Sequence, residues 1–326
     1  MRKPRLGFLG VGWIGRNRME AIARSGNAEV AAIADAAPEV ARKALESAPG
    51  ARVLAGFSAL LEEDLDGIVI ATPSALHAEQ SIAALRRGLA VFCQKPLGRT
   101  EKEVRAVVDA AQKADRLLGV DLSYRFTRAV EAIRARFHEL GQVYAAHLAF
   151  HNAYGPDKPW FYDVQLAGGG CVMDLGIHLV DLAMWLLDAP PVVRVASVLS
   201  KGGRRLRGRE AVEDYGAAQI ELATGCSIQL ACSWRLAAGR DCLIEASFYG
   251  TQRGASFTNV NGSFYDFRAE LFRGTAREVL VEPPDPWGGR AAADWAGRLA
   301  AGQRFDTEAN DLVAVAATLD RIYSGA

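Results

Sequence analysis

The chain has 326 residues, of which 50% are hydrophobic, and its 38 Lys and Arg residues balance 38 Asp and Glu residues. This length supports two domains of ordinary size, and a formal net charge of zero excludes a global electrostatic attraction to nucleic acids or acidic membranes. The five cysteines contain no C-x-x-C pair, so they predict neither a disulfide framework nor a zinc site, and we expect reduced, buried thiols.

The N-terminus resembles a secretory signal peptide, because basic residues within positions 2–5 precede a short apolar run. Two features count against a signal peptide: glycines interrupt that run, and basic residues at 16–18 follow it without a small-residue cleavage site. The longest apolar candidate for a membrane span, residues 171–187, contains three ionisable side chains, and we expect no run long enough to cross a bilayer. The sequence therefore predicts a cytoplasmic protein that binds neither membranes nor nucleic acids.

The first predicted strand, residues 6–9, continues into the pattern Gly10-Val-Gly12-Trp-Ile-Gly15. In a G-x-G-x-x-G turn the glycines allow a tight turn, close approach to a pyrophosphate and packing of a helix against the sheet. That helix is predicted from about Trp13, where unpaired N–H groups suit phosphate. The pattern indicates a dinucleotide site. A glycine-rich turn of an ordinary α/β fold is the alternative.

A second predicted strand, residues 30–34, ends at Asp35. A carboxylate at this point accepts hydrogen bonds from the adenosine ribose hydroxyls and repels a 2′-phosphate. Ala36 and Ala37 supply no arginine for that phosphate, although Arg42 lies about one helical turn further on. The sequence therefore favours NAD as the cofactor over NADP.

The rest of the first domain alternates strand-like runs at 67–71, 89–93 and 117–121 with helical runs near 75–87 and 100–114. Thr100 followed by Glu103 predicts a capping box for the second helix. Such alternation predicts a parallel sheet covered by helices on both faces. We therefore predict a doubly wound Rossmann domain over residues 1–122.

Two turns of this domain, at residues 71–77 and 93–98, follow the carboxyl ends of strands, which is the edge where open α/β sheets bind ligands. Lys95 in the second turn can hold its ammonium group near the nicotinamide and the reacting carbon, or it can be a solvated turn residue. His77 in the first turn either caps a helix or contacts the cofactor. The predicted cofactor contacts are Gly10, Gly12, Trp13, Ile14, Gly15, Asp35, Thr72, Pro73, His77, Gln94 and Lys95.

Beyond residue 122 a helical run at 127–140 is followed by strand-like runs at 143–150, 192–200, 215–222, 227–235, 242–249 and 255–259. Strands joined by short turns predict a large, mostly antiparallel open sheet with one face free for a substrate or a second subunit. Helices near 291–301 and 308–324 are expected to pack back on the body. The predicted class is α/β, with an α+β second domain over residues 123–326.

The segment after the glycines at 168–170 predicts a buried helix with one polar stripe. Steps of four, three and four place Asp174, His178, Asp181 and Trp185 on one side of a helix that is otherwise apolar or small. An imidazole between two carboxylates can exchange a proton near neutral pH. A polar cluster joining two helices is the alternative. A metal site is another, although no third ligand is evident.

Aromatic residues lie just ahead of these glycines, and flat aromatic faces suit the apolar side of a sugar ring. A core role in an irregular segment is the alternative for each of Tyr154, Trp160, Phe161 and Tyr162. Arg125 is a candidate contact for a hydroxyl or carboxylate group. The basic segment 201–209 is interpreted as a solvated loop, with a phosphate-bearing or nucleotide-sugar substrate as the alternative.

Together these motifs resemble the Gfo/Idh/MocA oxidoreductases, the family of glucose-fructose oxidoreductase and inositol dehydrogenases. The resemblance implies a Rossmann domain joined to a domain whose open sheet forms dimers or tetramers, and sugar, polyol or inositol substrates that react with NAD(P). The motifs are the glycine turn with Asp35, A-T-P-x-x-x-H ending at His77, Lys95-Pro96, Tyr124-Arg125-Phe126, G-G-G-x-x-x-D-x-G-x-H-x-x-D, Glu213-Asp214-Tyr215 and Ser233-Trp234.

By this resemblance Lys95 corresponds to the catalytic lysine and His178 to the proton-transferring histidine. Asp174 corresponds to a carboxylate that binds a substrate hydroxyl and supports the histidine. The chain departs from the family pattern at Gln94, where a glutamate is usual, and thereby loses a charge that favours the charged form of the lysine. The predicted substrate contacts are Lys95, Arg125, Tyr154, Trp160, Asp174 and His178.

The resemblance leaves two other functions open, because the same fold serves glycosidases that retain NAD and regulators that sense a dinucleotide without catalysis. The complete set of Lys95, Asp174 and His178 disfavours the regulator, since a sensor needs no proton-transfer groups. We expect the site at the seam between the two domains.

Overall fold

The computed structural model describes residues 2–325, so the outermost residues of the two predicted domains, Met1 and Ala326, lie outside the described residues. Contacts within the chain define two compact units. The first contains residues up to Ser123 together with Gly288–Val313, and the second contains Tyr124–Trp287 together with the residues from Ala314 on. The first division lies one residue from the predicted boundary.

The first unit is built on a six-stranded parallel sheet in the order β3-β2-β1-β4-β5-β6. This order reverses between β1 and β4, and ligands of doubly wound folds bind at such a switch point. The predicted Rossmann architecture is confirmed. The strands are β1 (Arg5–Leu9), β2 (Glu29–Ala34), β3 (Arg52–Val53), β4 (Gly67–Ile70), β5 (Ala90–Cys93) and β6 (Leu118–Val120).

Helices accompany these strands as the alternating pattern predicts. At the start of the fifth helix the Thr100 hydroxyl accepts a hydrogen bond from the Glu103 N–H at 3.2 Å, as the capping box requires. The second and third helices and β3 are short and were not predicted. The helices are α1 (Trp13–Ser25), α2 (Pro38–Ala44), α3 (Phe57–Leu61), α4 (Ser74–Arg86) and α5 (Glu101–Ala114).

The second unit is built on a nine-stranded sheet in the order β15-β14-β13-β12-β7-β11-β10-β8-β9. All neighbouring strands are antiparallel except β7 and β11, so the predicted mostly antiparallel sheet is confirmed. The strands are β7 (Val143–Asn152), β8 (Val192–Lys201), β9 (Arg204–Leu206), β10 (Tyr215–Leu222), β11 (Ser227–Ser233), β12 (Cys242–Gly250), β13 (Gly254–Asn259), β14 (Phe267–Arg273) and β15 (Ala276–Val281).

One face of this sheet carries the core of the second unit. Alternate strand residues such as Leu148, Phe248 and Phe257 are buried there against helices, whereas the residues between them lie on the opposite face. The helical segments are α6 (Arg128–Arg136), α7 (Val164–Ala167), a π-helical turn (Val172–Gly176) and α8 (Ile177–Leu186).

The last two helices are α9 (Arg290–Ala300) and α10 (Asp311–Ser324). Helix α9 was predicted to belong to the second domain, but it belongs to the first unit and packs against α1. The reason is Trp295, which is 2% exposed and lies with its ring centroid 5.7 Å from that of Phe92 on β5. Gly67 and Gly119 leave room for this indole, since a Cβ on either would meet it.

The helical stretch Val164–Leu186 has 23 residues, and its most apolar 18-residue window has a mean hydropathy of 1.4, so by length and composition alone it is long and apolar enough to cross a membrane. This corrects the expectation that no apolar run has the necessary length. Residues 164–170 extend the candidate predicted from 171–187. In the folded chain 83% of its most apolar window is buried inside the protein, as in a core helix.

Candidate functional site

The glycine-rich turn between β1 and α1 has the geometry of a phosphate-binding loop. A Cβ added to Gly15 would lie 2.0 Å from the carbonyl oxygen of Gly10, so the turn and the helix approach each other more closely than any side chain permits. Helix α1 begins at Trp13, and within residues 2–325 no side chain caps its N-terminus. Open N–H groups at a helix N-terminus bind phosphate. The turn therefore fits the pyrophosphate of a dinucleotide.

Asp35 lies beside this turn because backbone groups hold its carboxylate there. Its Oδ2 accepts a hydrogen bond from the Val11 N–H at 2.8 Å, and its Oδ1 accepts one from the Ala37 N–H at 2.9 Å. Each carboxylate oxygen keeps acceptor capacity for ribose hydroxyls. Arg42 on α2 donates to the Pro38 carbonyl at 3.2 Å, within its own helix. The geometry fits a ribose diol beside Asp35.

His77 links the two turns at the carboxyl ends of β4 and β5. It is 1% exposed; its Nδ1 lies 2.7 Å from the Pro96 carbonyl oxygen and its Nε2 lies 2.6 Å from the Thr72 carbonyl oxygen. The Thr72 hydroxyl donates to Gln80 at 2.7 Å, and Pro73 is the residue before α4. Both ring nitrogens of His77 face backbone carbonyls, which favours a positioning role, and the contact of His77 with the cofactor stays a prediction.

Gln94 and Lys95 follow β5, and Gln94 belongs to a buried polar network. Its Nε2 donates to Asp121 Oδ2 at 2.5 Å, and the same oxygen accepts from Arg18 Nε at 2.5 Å. The Ser123 hydroxyl donates to Asp121 Oδ1 at 2.7 Å. The Lys95 N–H donates to Gln94 Oε1 at 3.2 Å. Lys95 itself is half-buried.

In the second unit, Glu213 holds the segment that leads into α8. Its carboxylate is 0% exposed and accepts hydrogen bonds from the N–H groups of Gly170 at 2.8 Å and Val172 at 2.9 Å. The Tyr323 hydroxyl also donates to it at 2.8 Å. Burial raises the pKa of Glu213, and the hydrogen bonds oppose that rise. A Cβ on Gly170 would lie 1.9 Å from the Glu213 carbonyl oxygen, which explains a glycine there.

The predicted polar stripe is present, but its first part is a π-helical turn instead of α-helix. Between residues 171 and 186 the side chains of Asp174, His178 and Trp185 are partly exposed and all others are buried. π-Helical turns inside α-helices are frequent at functional sites. The stripe therefore presents one carboxylate and one imidazole from a segment that is otherwise core.

Asp174 and His178 each lie against an aromatic side chain. The Trp234 indole donates from Nε1 to Asp174 Oδ2 at 3.1 Å. The Tyr124 ring centroid lies 4.9 Å from that of the His178 imidazole, and Phe150 lies at 6.5 Å. Burial raises the pKa of Tyr124, so its hydroxyl stays protonated over the physiological range. These contacts restrict the orientation of the carboxylate and the imidazole.

Comparisons with known proteins identify the family of the chain. Residues 4–122 match the model of an oxidoreductase family with an NAD-binding Rossmann fold, and residues 126–256 match the GFO/IDH/MocA C-terminal domain. The chain belongs to the Gfo/Idh/MocA family of oxidoreductases. The resemblance that the motifs indicate is thereby confirmed, and the protein is an NAD(P)-dependent oxidoreductase.

Two curated members of the family and one solved structure illustrate the relationship. A 1,5-anhydro-D-fructose reductase of Ensifer adhaerens is 31% identical over 230 residues, which cover 69% of this chain and 68% of the relative. An inositol 2-dehydrogenase of Acidiphilium cryptum is 32% identical over 237 residues, which cover 69% and 66%. A 3-ketoreductase of Actinomadura kijaniata, solved with NADP and TDP-benzene, has a TM-score of 0.84 at 22% identity, with coverage of 99% and 98%.

In this Gfo/Idh/MocA protein the second part of the stripe, Asp181 and Trp185, contacts Arg125 and does not have the predicted role beside His178. Asp181 is 1% exposed and forms a two-point ion pair with Arg125, whose Nε lies 2.8 Å from Oδ2 and whose Nη2 bonds Oδ1. The guanidinium also lies 5.3 Å from the ring centroid of Trp185. His178 is therefore not flanked by two equivalent carboxylates. Arg125, predicted as a substrate contact, is the partner of Asp181.

Three of the four aromatic residues ahead of the glycines form a cluster with Trp234. Trp160 and Phe161 stack with centroids 3.8 Å apart, and Trp234 contacts both Phe161 and Tyr162 edge-on. Trp234 connects this cluster to Asp174, because its indole donates a hydrogen bond to that carboxylate. Tyr154 is 56% exposed, and its hydroxyl donates to Asp241.

Four supporting residues had no role assigned from the sequence, and Trp234 was mentioned only as part of a motif. Trp234, Glu213 and Tyr124 lie within motifs of the resemblance, which is the signal that marks them, whereas nothing local marks the others. Within residues 2–325 no group of three or more His, Cys, Asp or Glu side chains is arranged to hold a metal ion. The missed residues are Arg18, Asp121, Tyr124 and Glu213.

Proposed function

We propose that this oxidoreductase interconverts a hydroxyl and a carbonyl group on a sugar, a polyol or an inositol-type substrate, with Lys95 and His178 as the catalytic polar groups. The observation that carries the proposal is the polar stripe, because Asp174 and His178 are the two ionisable side chains left accessible on a buried segment. The activities named for the curated relatives support the substrate class.

His178 is assigned the proton of the reacting hydroxyl. An imidazole titrates near neutral pH, so it can take that proton during oxidation and return it during reduction. Tyr124 packs on its ring and keeps the ring plane oriented. Asp174, held by the Trp234 indole, keeps acceptor capacity for a substrate hydroxyl and supports the histidine.

Lys95 is assigned the oxygen of the reacting carbon, because an ammonium group stabilises the oxyanion that develops there. Its place at the carboxyl end of β5 is the ligand-binding edge of a Rossmann sheet. The nicotinamide, when bound, supplies or accepts the hydride. The stacked Trp160 and Phe161 rings offer apolar faces for a sugar ring.

The cofactor is proposed to be NAD in preference to NADP. The support is the carboxylate of Asp35, held beside the glycine turn by two backbone N–H groups. A 2′-phosphate near that carboxylate meets a like charge, whereas a ribose diol gains two charge-assisted hydrogen bonds.

A nicotinamide-absorbance screen tests the function. The purified protein is mixed with NAD or NADP and a panel of sugars, inositols and sugar acids, and net NADH or NADPH formation is followed. We expect turnover with at least one member, and a fall of about 10²–10⁴-fold in Lys95→Ala and His178→Ala. Wild-type turnover in either variant contradicts the assignment of that residue.

The same screen separates the two other functions of the fold. Release of product from an aryl glycoside without net NADH formation identifies an NAD-retaining glycosidase. Dinucleotide binding with no turnover on any panel member or glycoside identifies a regulator.

The protein is further proposed to form a homodimer or homotetramer through the sheet of the second unit. On the sheet face opposite the core, Ala149, Ala217 and Ala231 lie side by side on neighbouring strands, and Val198 is 45% exposed beside Ala217. The three alanines leave this part of the face flat enough for a second copy.

A further inference from the structure

The buried network around Asp121 is the feature of the first unit that the proposed function does not explain. The Arg18 and Asp121 side chains are 8% and 0% exposed, and they join α1 to the residue that follows β6. Gln94, at the end of β5, completes the network through Asp121 Oδ2. Three elements of the Rossmann unit therefore meet at one carboxylate.

The charges in this network require a neutral residue at position 94. The guanidinium of Arg18 and the carboxylate of Asp121 already balance, and a buried charge without a partner is costly. A glutamate at position 94 would set a second carboxylate against Asp121. The glutamine in this chain therefore complements Asp121, which carries the negative charge at a position 27 residues further along.

The network also determines how the amide of Gln94 is oriented. A carboxylate only accepts hydrogen bonds, so the Nε2 of Gln94 faces Asp121. Its Oε1 then faces the backbone N–H of Lys95, which donates to it at 3.2 Å. One amide group thus connects the buried ion pair to the peptide that carries the lysine.

We infer that Gln94, Asp121 and Arg18 form a positioning set that holds the Lys95 peptide in place for hydride transfer. The inference rests on the proposed function, in which Lys95 stabilises the reacting oxygen. The chemistry is carried by Lys95, and the three residues act through it.

A charge-swap experiment tests the set. Gln94→Glu gives the network a net charge of −1, Asp121→Asn gives it +1, and the double variant Q94E/D121N restores zero. In the double variant only the bond between positions 94 and 121 reverses its direction, because Arg18 and the Lys95 N–H can only donate. Each single variant is expected to lower kcat by roughly tenfold to hundredfold, the effect of about 1 Å of misplacement, with little change in the sugar KM. The double variant is expected to recover most of that loss.

A second readout needs no substrate. Hydrogen–deuterium exchange of the peptide spanning residues 93–100 is expected to rise in both single variants and to return in the double variant. The side chain at position 94 still offers an oxygen to the Lys95 N–H, but its orientation is no longer fixed, because Asp121 repels a glutamate and the asparagine of Asp121→Asn binds the Gln94 amide without a charge. Gln112→Glu, which adds a charge at an exposed position of α5, is the matched control and leaves exchange and kcat unchanged. Thermal melting and NADH fluorescence titration show that each variant is folded.

Two outcomes overturn the inference. One is wild-type kcat and exchange in a folded Gln94→Glu or Asp121→Asn variant, and the other is a double variant that is as impaired as the two singles combined. Wild-type turnover in Lys95→Ala contradicts the proposed function instead. If no panel sugar reacts, the exchange measurement still decides whether the set holds the Lys95 peptide.

Discussion

At the scale of single residues, Asp35 shows one carboxylate that serves both the fold and a ligand. Hydrogen bonds to the Val11 and Ala37 N–H groups join the glycine turn to the end of β2. The same bonds leave acceptor positions directed away from the backbone. Because the residue sits directly after a strand, local sequence was enough to identify it.

Asp35→Asn tests the cofactor preference. Asn keeps an acceptor for one backbone N–H but loses the charge, so the ratio of kcat/KM for NAD to that for NADP is expected to fall by roughly 10-fold to 100-fold, the equivalent of one charge-assisted hydrogen bond. Glu39→Gln, which removes an exposed charge on α2, is the control. An unchanged ratio in Asp35→Asn would show that the carboxylate does not select the cofactor.

His77 predicts a pH dependence of stability. Burial lowers the pKa of His77, and the Pro96 and Thr72 carbonyls oppose that shift. A histidine whose pKa is lower in the folded state than in the unfolded state stabilises the fold above its unfolded pKa of about 6.5, and that contribution is lost as the pH falls below it.

The measurement compares melting temperatures from pH 8 to pH 5 in wild type and His77→Leu. The variant is expected to be less stable at pH 7.5, and the difference between the two proteins is expected to shrink as the pH falls below about 6.5. A difference that stays constant or widens on acidification contradicts the lowered pKa.

At the scale of elements, the sequence predicted most but not all of the strands and helices of ordinary length. The strands β14 and β15, with seven and six residues, were not predicted, and neither were the short strands β3, with two residues, and β9, with three. The basic segment interpreted as a solvated loop contains β9, which pairs with β8 across Gly202 and Gly203. The Gly-Gly dipeptide is a hairpin signal that was available in the sequence, and the structure shows a positive φ at both glycines.

The π-helical turn had no such signal, because its anchors come from other elements. Glu213 lies 41 residues from Val172, and Tyr323 lies on α10. The hydroxyl of Tyr323 also accepts a hydrogen bond from the Met173 N–H at 3.1 Å. These contacts hold the start of the segment that bears Asp174 and His178.

Glu213→Gln tests this anchor. The amide –NH₂ cannot accept a hydrogen bond, so one buried backbone N–H loses its partner, and the free energy of unfolding is expected to fall by about 1–3 kcal/mol. Turnover is expected to fall as well, because Asp174 and His178 follow the anchored residues. Denaturant unfolding and kcat are measured together. Glu210→Gln, at an exposed position nearby, is the control. Unchanged kcat in a destabilised Glu213→Gln would limit Glu213 to stability.

At the scale of the whole molecule, the chain returns to its first unit after completing its second sheet. Helix α9 is separated from the rest of that unit by 164 residues of the second one. Its amphipathic pattern predicted a helix but did not show in which unit the helix packs. The contact of the buried Trp295 indole with Phe92 explains why it packs in the first unit.

The proposed assembly gives a test at this scale. Sedimentation analysis of the wild type is expected to give a mass that is two or four times 35.0 kDa. Val198→Asp places a charge on the opposite face of the nine-stranded sheet and is expected to yield monomers, since desolvating an unpaired charge opposes association. Val53→Asp, at an exposed strand position of the first unit, is the control. A monomeric wild type, or an unchanged mass in Val198→Asp, contradicts the proposal.

The sequence by itself determined the features that depend on residues near one another in the chain. These are the strand and glycine turn of the dinucleotide fold, the carboxylate of Asp35, and the exposure of Asp174 and His178 on a buried segment. Each follows from backbone sterics or from the period of a helix or strand, and a short stretch of consecutive residues is enough to show it.

The tertiary structure alone decided which distant groups those residues meet. Asp181 pairs with Arg125, 56 residues before it, and Gln94 pairs with Asp121, 27 residues after it. A buried charge needs a partner. The sequence around the charged residue does not specify where in the chain that partner lies. Only the packing of elements brings the partners within hydrogen-bond distance.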